Sequence, residues 1–358
     1  MSIAVPPAAG SPSSATAVRD ADAGAATQRR WGPAHWLALV GVALLAYMAW
    51  TLAGWLADGP DEVTTGRDTA SSSRVVAWGL TGLLWVLALG VVASVVRESR
   101  RLGRLSFDGK LAIGLVCASF WDTFVNWIQP IWFYSANWPL NLNDWWANAP
   151  GIVSPAAGEG AFPVLMIVPL YVCFVIEARL IGHLLAALRR RRPAIGTAGL
   201  VAAAAGSAVL TSILVSTVMI RPHLWGGPGM PVPITGGDHH WSLFEFGYIV
   251  AWATTLGLVR FFVDARGERI TERGLGHLPA RVRTAVSTLA TIAVCCVSVI
   301  GWSTPVMLAG LHAEPYPAYP PALPNRTCDT ATSSGTAYGP CPGSPGFRMP
   351  VRGASDAP

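Results

Sequence analysis

Charge is scarce in this chain, and lysine is almost missing. Only 13% of the 358 residues are charged, against 52% hydrophobic, where a soluble domain would carry about 25% charge. That shortage, with a mean hydropathy of +0.43, excludes an ordinary soluble enzyme and points to a membrane protein. Lys110 is the single lysine among 25 basic residues. The late apolar runs therefore have no lysine for a Schiff base, which excludes a seven-helix retinal protein. No Gly-rich phosphate loop, dinucleotide fingerprint, G-x-S-x-G elbow or HExxH occurs. The six cysteines form no CxxC and no His/Cys spacing of a zinc site. The expected chemistry therefore uses no nucleotide, flavin or metal: no cofactor is expected, and no metal ligands are assigned.

The net charge of +5 does not argue for nucleic acid, because the basic residues sit in short clusters beside apolar runs. Seven such runs have the length of a membrane span: 36–57, 75–96, 111–134, 162–184, 197–220, 243–263 and 284–309. The expected fold is all-α, a polytopic transmembrane helical bundle of about seven spans. Basic residues concentrate before the first run and in 97–110, 189–192 and 264–283; the loop 135–161 has none. By the positive-inside rule the N-terminus is cytoplasmic and the C-terminus outside. Residues 1–30 read as a disordered tail, 31–312 as the membrane domain, and 313–358 as a Pro/Gly-rich extracytoplasmic tail, where Cys328 and Cys341 are placed to form a disulfide. The alanine- and arginine-rich composition fits a bacterial chain, located in the cytoplasmic membrane.

One run organises the rest. Residues 111–134 are apolar enough to cross a bilayer, yet carry Asp122, Asn126 and Gln129. On a continuous helix these fall at i, i+4 and i+7 and share a face. A charged group near mid-span costs roughly 2.5–3.5 kcal/mol on insertion scales and marks a functional site by default; the plain alternative is hydrogen bonding between helices. Glu245 near the outer end of the sixth run and Glu177 towards the inner end of the fourth are the other acids, and the sequence leaves open which pairs with Asp122. Burial of a carboxyl suits it to exchange protons near neutral pH. Asp122, Glu245 and Glu177 are thus the candidate catalytic residues, with Asn126, Gln129, Tyr134, Trp138 and His240 as candidate substrate contacts. Trp138, Trp145 and Trp146 also suit an aromatic belt. Arg179 and Arg260 read as interfacial anchors.

The pattern Asp122-x3-Asn126-x3-Pro130-x3-Tyr134, followed by a Trp/Asn-rich loop ending Ala149-Pro150-Gly151, resembles the spirocyclase AveC-like family of bacterial membrane proteins, over about residues 31–312. The resemblance implies cyclisation of a dihydroxyketone of polyketide type to a spiroketal with loss of water, and in one member a second, dehydratase activity. Rival readings are a transporter or permease for a lipophilic metabolite, a membrane terpene-type cyclase, and a non-catalytic scaffold. The expected partners are a lipophilic small molecule and the lipid bilayer, with no nucleic acid; oligomeric state is left open.

Overall fold

The computed structural model describes residues 31–62, 71–128, 131–135, 137–152, 154, 157–158, 160–220, 222, 224–226, 232 and 242–310. The N-terminal tail, Gln129, Pro130, Asp238, His239, His240, Cys328 and Cys341 lie outside the described residues. Seven α-helices are described: α1 (Pro33–Asp58), α2 (Ser71–Leu102), α3 (Phe107–Ala118), α4 (Val164–Arg191), α5 (Thr197–Ile220), α6 (Leu243–Phe261) and α7 (Ala280–Ala309). Local chemistry sets their ends. Pro33 opens α1, where a missing N–H costs nothing. Ser106 Oγ accepts from Gly109 N (3.1 Å) at the start of α3, and Ser242 Oγ accepts from Glu245 N (3.2 Å) at the start of α6. Arg189, Arg190 and Arg191 close α4, where cations complement the helix dipole.

Five helices, α1, α2, α4, α5 and α7, are long and apolar enough to cross a membrane. Half of the apolar window of α4 and of α7 is buried, against 22% in α1, α2 and α5, so α4 and α7 form the centre. α7 packs on α1, α3 and α6, and α4 on α2, α3 and α6. Small residues let these helices touch: a Cβ on Gly41 of α1 would sit 2.3 Å from Leu289 O of α7, and one on Gly114 of α3 2.8 Å from Cys295 Sγ. The outward sides of α2 and α5 carry exposed Val75, Leu83, Val86, Leu89, Leu210 and Leu214.

The third apolar run departs from expectation. It is not one helix over 111–134. The α-helix stops at Ala118, and Ser119–Asn126 continues as a 3-10 helix. The chain then turns back as strand β1 (Phe133–Tyr134). The reason lies in Asn126. Its Oδ1 accepts from Ile131 N and Trp132 N, both at 2.9 Å, and its Nδ2 donates to Trp132 O at 2.9 Å. One buried amide thus closes the reversal.

The described residues between 131 and 163 form a cap on that end of the bundle. β1 pairs antiparallel with β4 (Trp225–Gly226), Tyr134 opposite Trp225; β2 (Asn141–Asn143) pairs antiparallel with β3 (Ala161–Pro163), Leu142 opposite Phe162. Trp138, Trp145 and Trp146 are buried in the cap and do not form a surface belt. Trp146 Nε1 donates to Thr123 Oγ1 (2.7 Å), and Trp145 stacks on Phe120 with ring centroids 4.9 Å apart. Tyr47 of α1 donates to Pro150 O (3.0 Å), and Asn148 Nδ2 to Asp58 Oδ2 (2.6 Å), tying α1 to the cap.

The opposite, basic end is held by ion pairs. Asp108 accepts from Arg179 Nε (2.7 Å) and Arg260 Nε (2.9 Å). Lys110 Nζ lies 2.8 Å from Glu272 Oε1 in the loop between α6 and α7. Burial alone would raise the Glu272 carboxyl, but the hydrogen bond and charge of Lys110, with the charge of Arg269, outweigh it and hold the group below the ordinary glutamate range. A carboxyl held low in the folded protein contributes stability at higher pH, and loses it as pH falls through its folded value. Lys110→Met removes that contribution at neutral pH. Its deficit in melting temperature against the wild type is therefore expected to shrink as pH drops below the ordinary glutamate range. A deficit independent of pH in thermal scans would contradict this pairing.

Candidate active site

Seven segments place side chains around one cavity with about 700 Å³ of empty space, part of it open to the outside. The 3-10 geometry sets the first contribution. With three residues per turn, positions i and i+3 share a face, so Asp122 and Val125 both line the cavity while Asn126 turns away to its backbone partners. On β1 and the residue pair before it, alternation of side chains brings Trp132 and Tyr134 to the same side, with Trp225 across the ladder. On α4 the cavity face runs through Leu170, Phe174 and Glu177, with Tyr171 beside them; on α6 it runs through Glu245, Tyr248, Ile249 and Trp252. These are helical spacings of three, four and seven. Thr211, Ser212 and Val215 of α5 and Val306 of α7 complete the wall.

Asp122 is gripped by two phenols. Tyr171 OH donates to its Oδ1 at 2.8 Å, and Tyr134 OH donates to its Oδ2. Residues 12 and 49 positions away thus make its first contacts. The other two carboxyls are less engaged: Glu177 and Glu245 are 8% and 4% exposed, and each has a buried Oε1 without a hydrogen-bond partner. Ser212 Oγ on the same wall is likewise buried and unpartnered. Rings surround these groups: Trp252 lies 5.0 Å from Tyr171 and 4.4 Å from Phe174 between centroids, and its Nε1 is held by Ser298 Oγ (3.0 Å).

The cavity thus collects Asp122, Glu177, Glu245 and Tyr134. It does not include Asn126 or Trp138. Trp138 is packed in the cap, its Nε1 donating to Leu224 O (2.8 Å), and Asn126 closes the chain reversal. Gln129 and His240 lie outside the described residues. Among the described residues no group of three His, Cys, Asp or Glu side chains is gathered as metal ligands. Sequence reasoning missed Tyr171, Tyr248, Thr211 and Ser212. Following Glu245 along its own helix face would have found Tyr248, three residues on; Tyr171, six residues before Glu177, lies off that acid's face and gives no such signal.

Long apolar helices around a cavity lined by carboxyls and aromatics are consistent with a helical membrane protein. The particular family follows from the sequence: residues 101–328 match the family model described as Spirocyclase AveC-like. That is more than half of the chain, and the protein belongs to this family. The match begins at the end of α2, later than the 31–312 expected, and runs past α7. No curated protein and no solved structure matches the chain. Family membership supports a cyclase-type role.

Proposed function

We propose that this protein is a membrane-embedded, cofactor-independent cyclase–dehydratase of spirocyclase type, acting on a lipophilic polyketide-type hydroxyketone. The observation that carries the reading is the convergence of Asp122, Glu177 and Glu245 on one aromatic-walled cavity. In the reaction, one substrate hydroxyl adds to the ketone, its proton passing to the carbonyl oxygen. The resulting hemiketal hydroxyl is protonated and leaves as water. The second hydroxyl then attacks the oxocarbenium carbon and gives up its proton, so the acid is regenerated and the balance is one water lost. The Tyr134–Asp122–Tyr171 unit supports the role of general acid/base, since a proton can pass along its hydrogen bonds. Glu245 and Glu177, which line the cavity and each have an oxygen without a partner, suit delivery of the proton to the leaving hydroxyl. The surrounding rings keep water away from the cation.

The proposed site lies in the cytoplasmic membrane of a bacterium, in a bundle of seven spans with the N-terminus inside and the C-terminus outside. The basic loops support that orientation. The two shorter spans are compatible in length. α3 of 12 residues rises about 18 Å, and its 8-residue 3-10 extension about 16 Å more. The 19 residues of α6 rise about 28 Å.

The test is conversion of a ketodiol by the purified protein in lipid vesicles, with no nucleotide or flavin added and a chelator present. The expected product is one water lighter than the substrate. A product of unchanged mass would replace this reading with an isomerising cyclase. Flux across the vesicle wall without chemical change would replace it with a transporter.

A further inference from the structure

Among the described residues the cavity wall carries three acids and no base: no Lys, Arg or His side chain lines it. The nearest candidate is engaged elsewhere. Arg179 stands two residues after Glu177 on α4, which turns it to another face, and there it binds Asp108 at 2.7 Å. Arg260, on the same helix as Glu245, is bound to Asp108 as well. The described residues therefore supply no countercharge to the cavity acids. Two of the residues that line it have an oxygen unused: Glu177 and Glu245 are more than nine-tenths buried, and Oε1 of each has no hydrogen-bond partner.

The shape of the missing countercharge can be read from the walls. The three acids are not gathered into a set that could hold a metal ion; they stand on separate elements around a wide space. Aromatic rings line the same cavity, Trp132, Trp225, Trp252 and Phe174 among them. Ring faces attract a cation that has shed its water, and do so most strongly in Trp. We propose that the cavity binds a lipophilic organic cation, of the class of a tertiary or quaternary ammonium clad in apolar groups, with its charge among Asp122, Glu177 and Glu245. The inference rests on the reading of this cavity as the substrate site, where the reaction develops positive charge at carbon, and it extends that reading to stable cations as ligands.

The titratable groups facing such a cation are Asp122, Tyr134, Tyr171, Glu177, Glu245 and Tyr248. Binding needs a carboxylate, so protons and the cation compete, and affinity rises with pH while an acid must still give up its proton.

The experiment uses the full-length protein in a neutral detergent and titrates two probes calorimetrically. Tetraphenylphosphonium is the cation; triphenylphosphine oxide, with similar rings and no net charge, is the control. After correction for partition into micelles, the cation is expected to bind at least about tenfold more tightly, to release protons into the buffer on binding, and to gain affinity as pH rises. Asp122→Asn, Glu177→Gln and Glu245→Gln combined should erase the preference and leave the oxide unaffected. Equal affinity of the two probes for the wild type, or a preference that survives the combined substitution, overturns the inference. If the combined variant loses the oxide as well, it has lost its fold, and the wild-type ratio and its pH dependence decide the matter. The two readings fail separately: a preparation that dehydrates ketodiol yet shows no preference for the cation refutes only this inference, and one that prefers the cation yet turns nothing over refutes only the cyclase.

Discussion

Asp122→Asn is expected to lower turnover of a ketodiol by at least about a hundredfold, the usual range for losing a positioned acid–base group. The substitution is nearly isosteric. The amide can still meet the phenols of Tyr134 and Tyr171, which now hold Asp122 from two sides, so the cavity keeps its shape and loses the transferable proton. Tyr171→Phe removes one of the two grips and leaves the carboxyl in place, so its effect should be smaller, about tenfold. The measurement is initial rate in membranes, with melting temperature as the control for insertion and folding. Undiminished turnover in a normally folded Asp122→Asn protein would remove Asp122 from the mechanism.

The largest expected loss of stability lies at the basic end. Asp108→Ala leaves the guanidiniums of Arg179 and Arg260 without their shared carboxylate, which is itself only 4% exposed. Removing one partner from a buried pair costs about 3–5 kcal/mol. Arg179 and Arg260 are 23% and 21% exposed, so water recovers part of that and the expected cost is near the low end, about 3 kcal/mol. Against a total stability of about 5–15 kcal/mol this is a large fraction. Four helices feel it, because Arg179 also reaches Ser94 Oγ of α2 at 2.8 Å. Tryptophan-monitored melting checks the expectation; the Asp108→Ala and Arg179→Met effects should be far from additive, since they share one network. A wild-type melting point for Asp108→Ala would show that the cluster is not holding the bundle.

The helices were legible in the sequence because apolar runs of membrane length have few other uses. α5 covers Thr197–Ile220, the limits that hydropathy alone gives. The three acids were legible for the same reason: a carboxyl stands out in an oily run, and each of Asp122, Glu177 and Glu245 reaches the cavity. What was not legible is where the third run breaks. Hydropathy does not distinguish α from 3-10 geometry, and the turn after Asn126 depends on a side-chain amide binding backbone groups five and six residues on. An α-helical period placed Asn126 beside Asp122; a period of three placed Val125 there. The phenols that do reach Asp122 come from β1 and α4, and no local pattern around residue 122 signals a partner 49 positions away.

The reversal at Asn126 has a mechanical outcome. Asp122 stands on the short segment that leads straight into the roof, and Tyr134 in that roof is hydrogen-bonded back to it. Lifting the roof to admit a guest would drag the acid and its phenol out of register together. α5 contributes only Thr211, Ser212 and Val215 to the wall and is among the least buried helices, yet its Met219 O accepts from Leu224 N, which ties it to the strand paired with β1. Entry that leaves the reacting groups in place must therefore spare the roof.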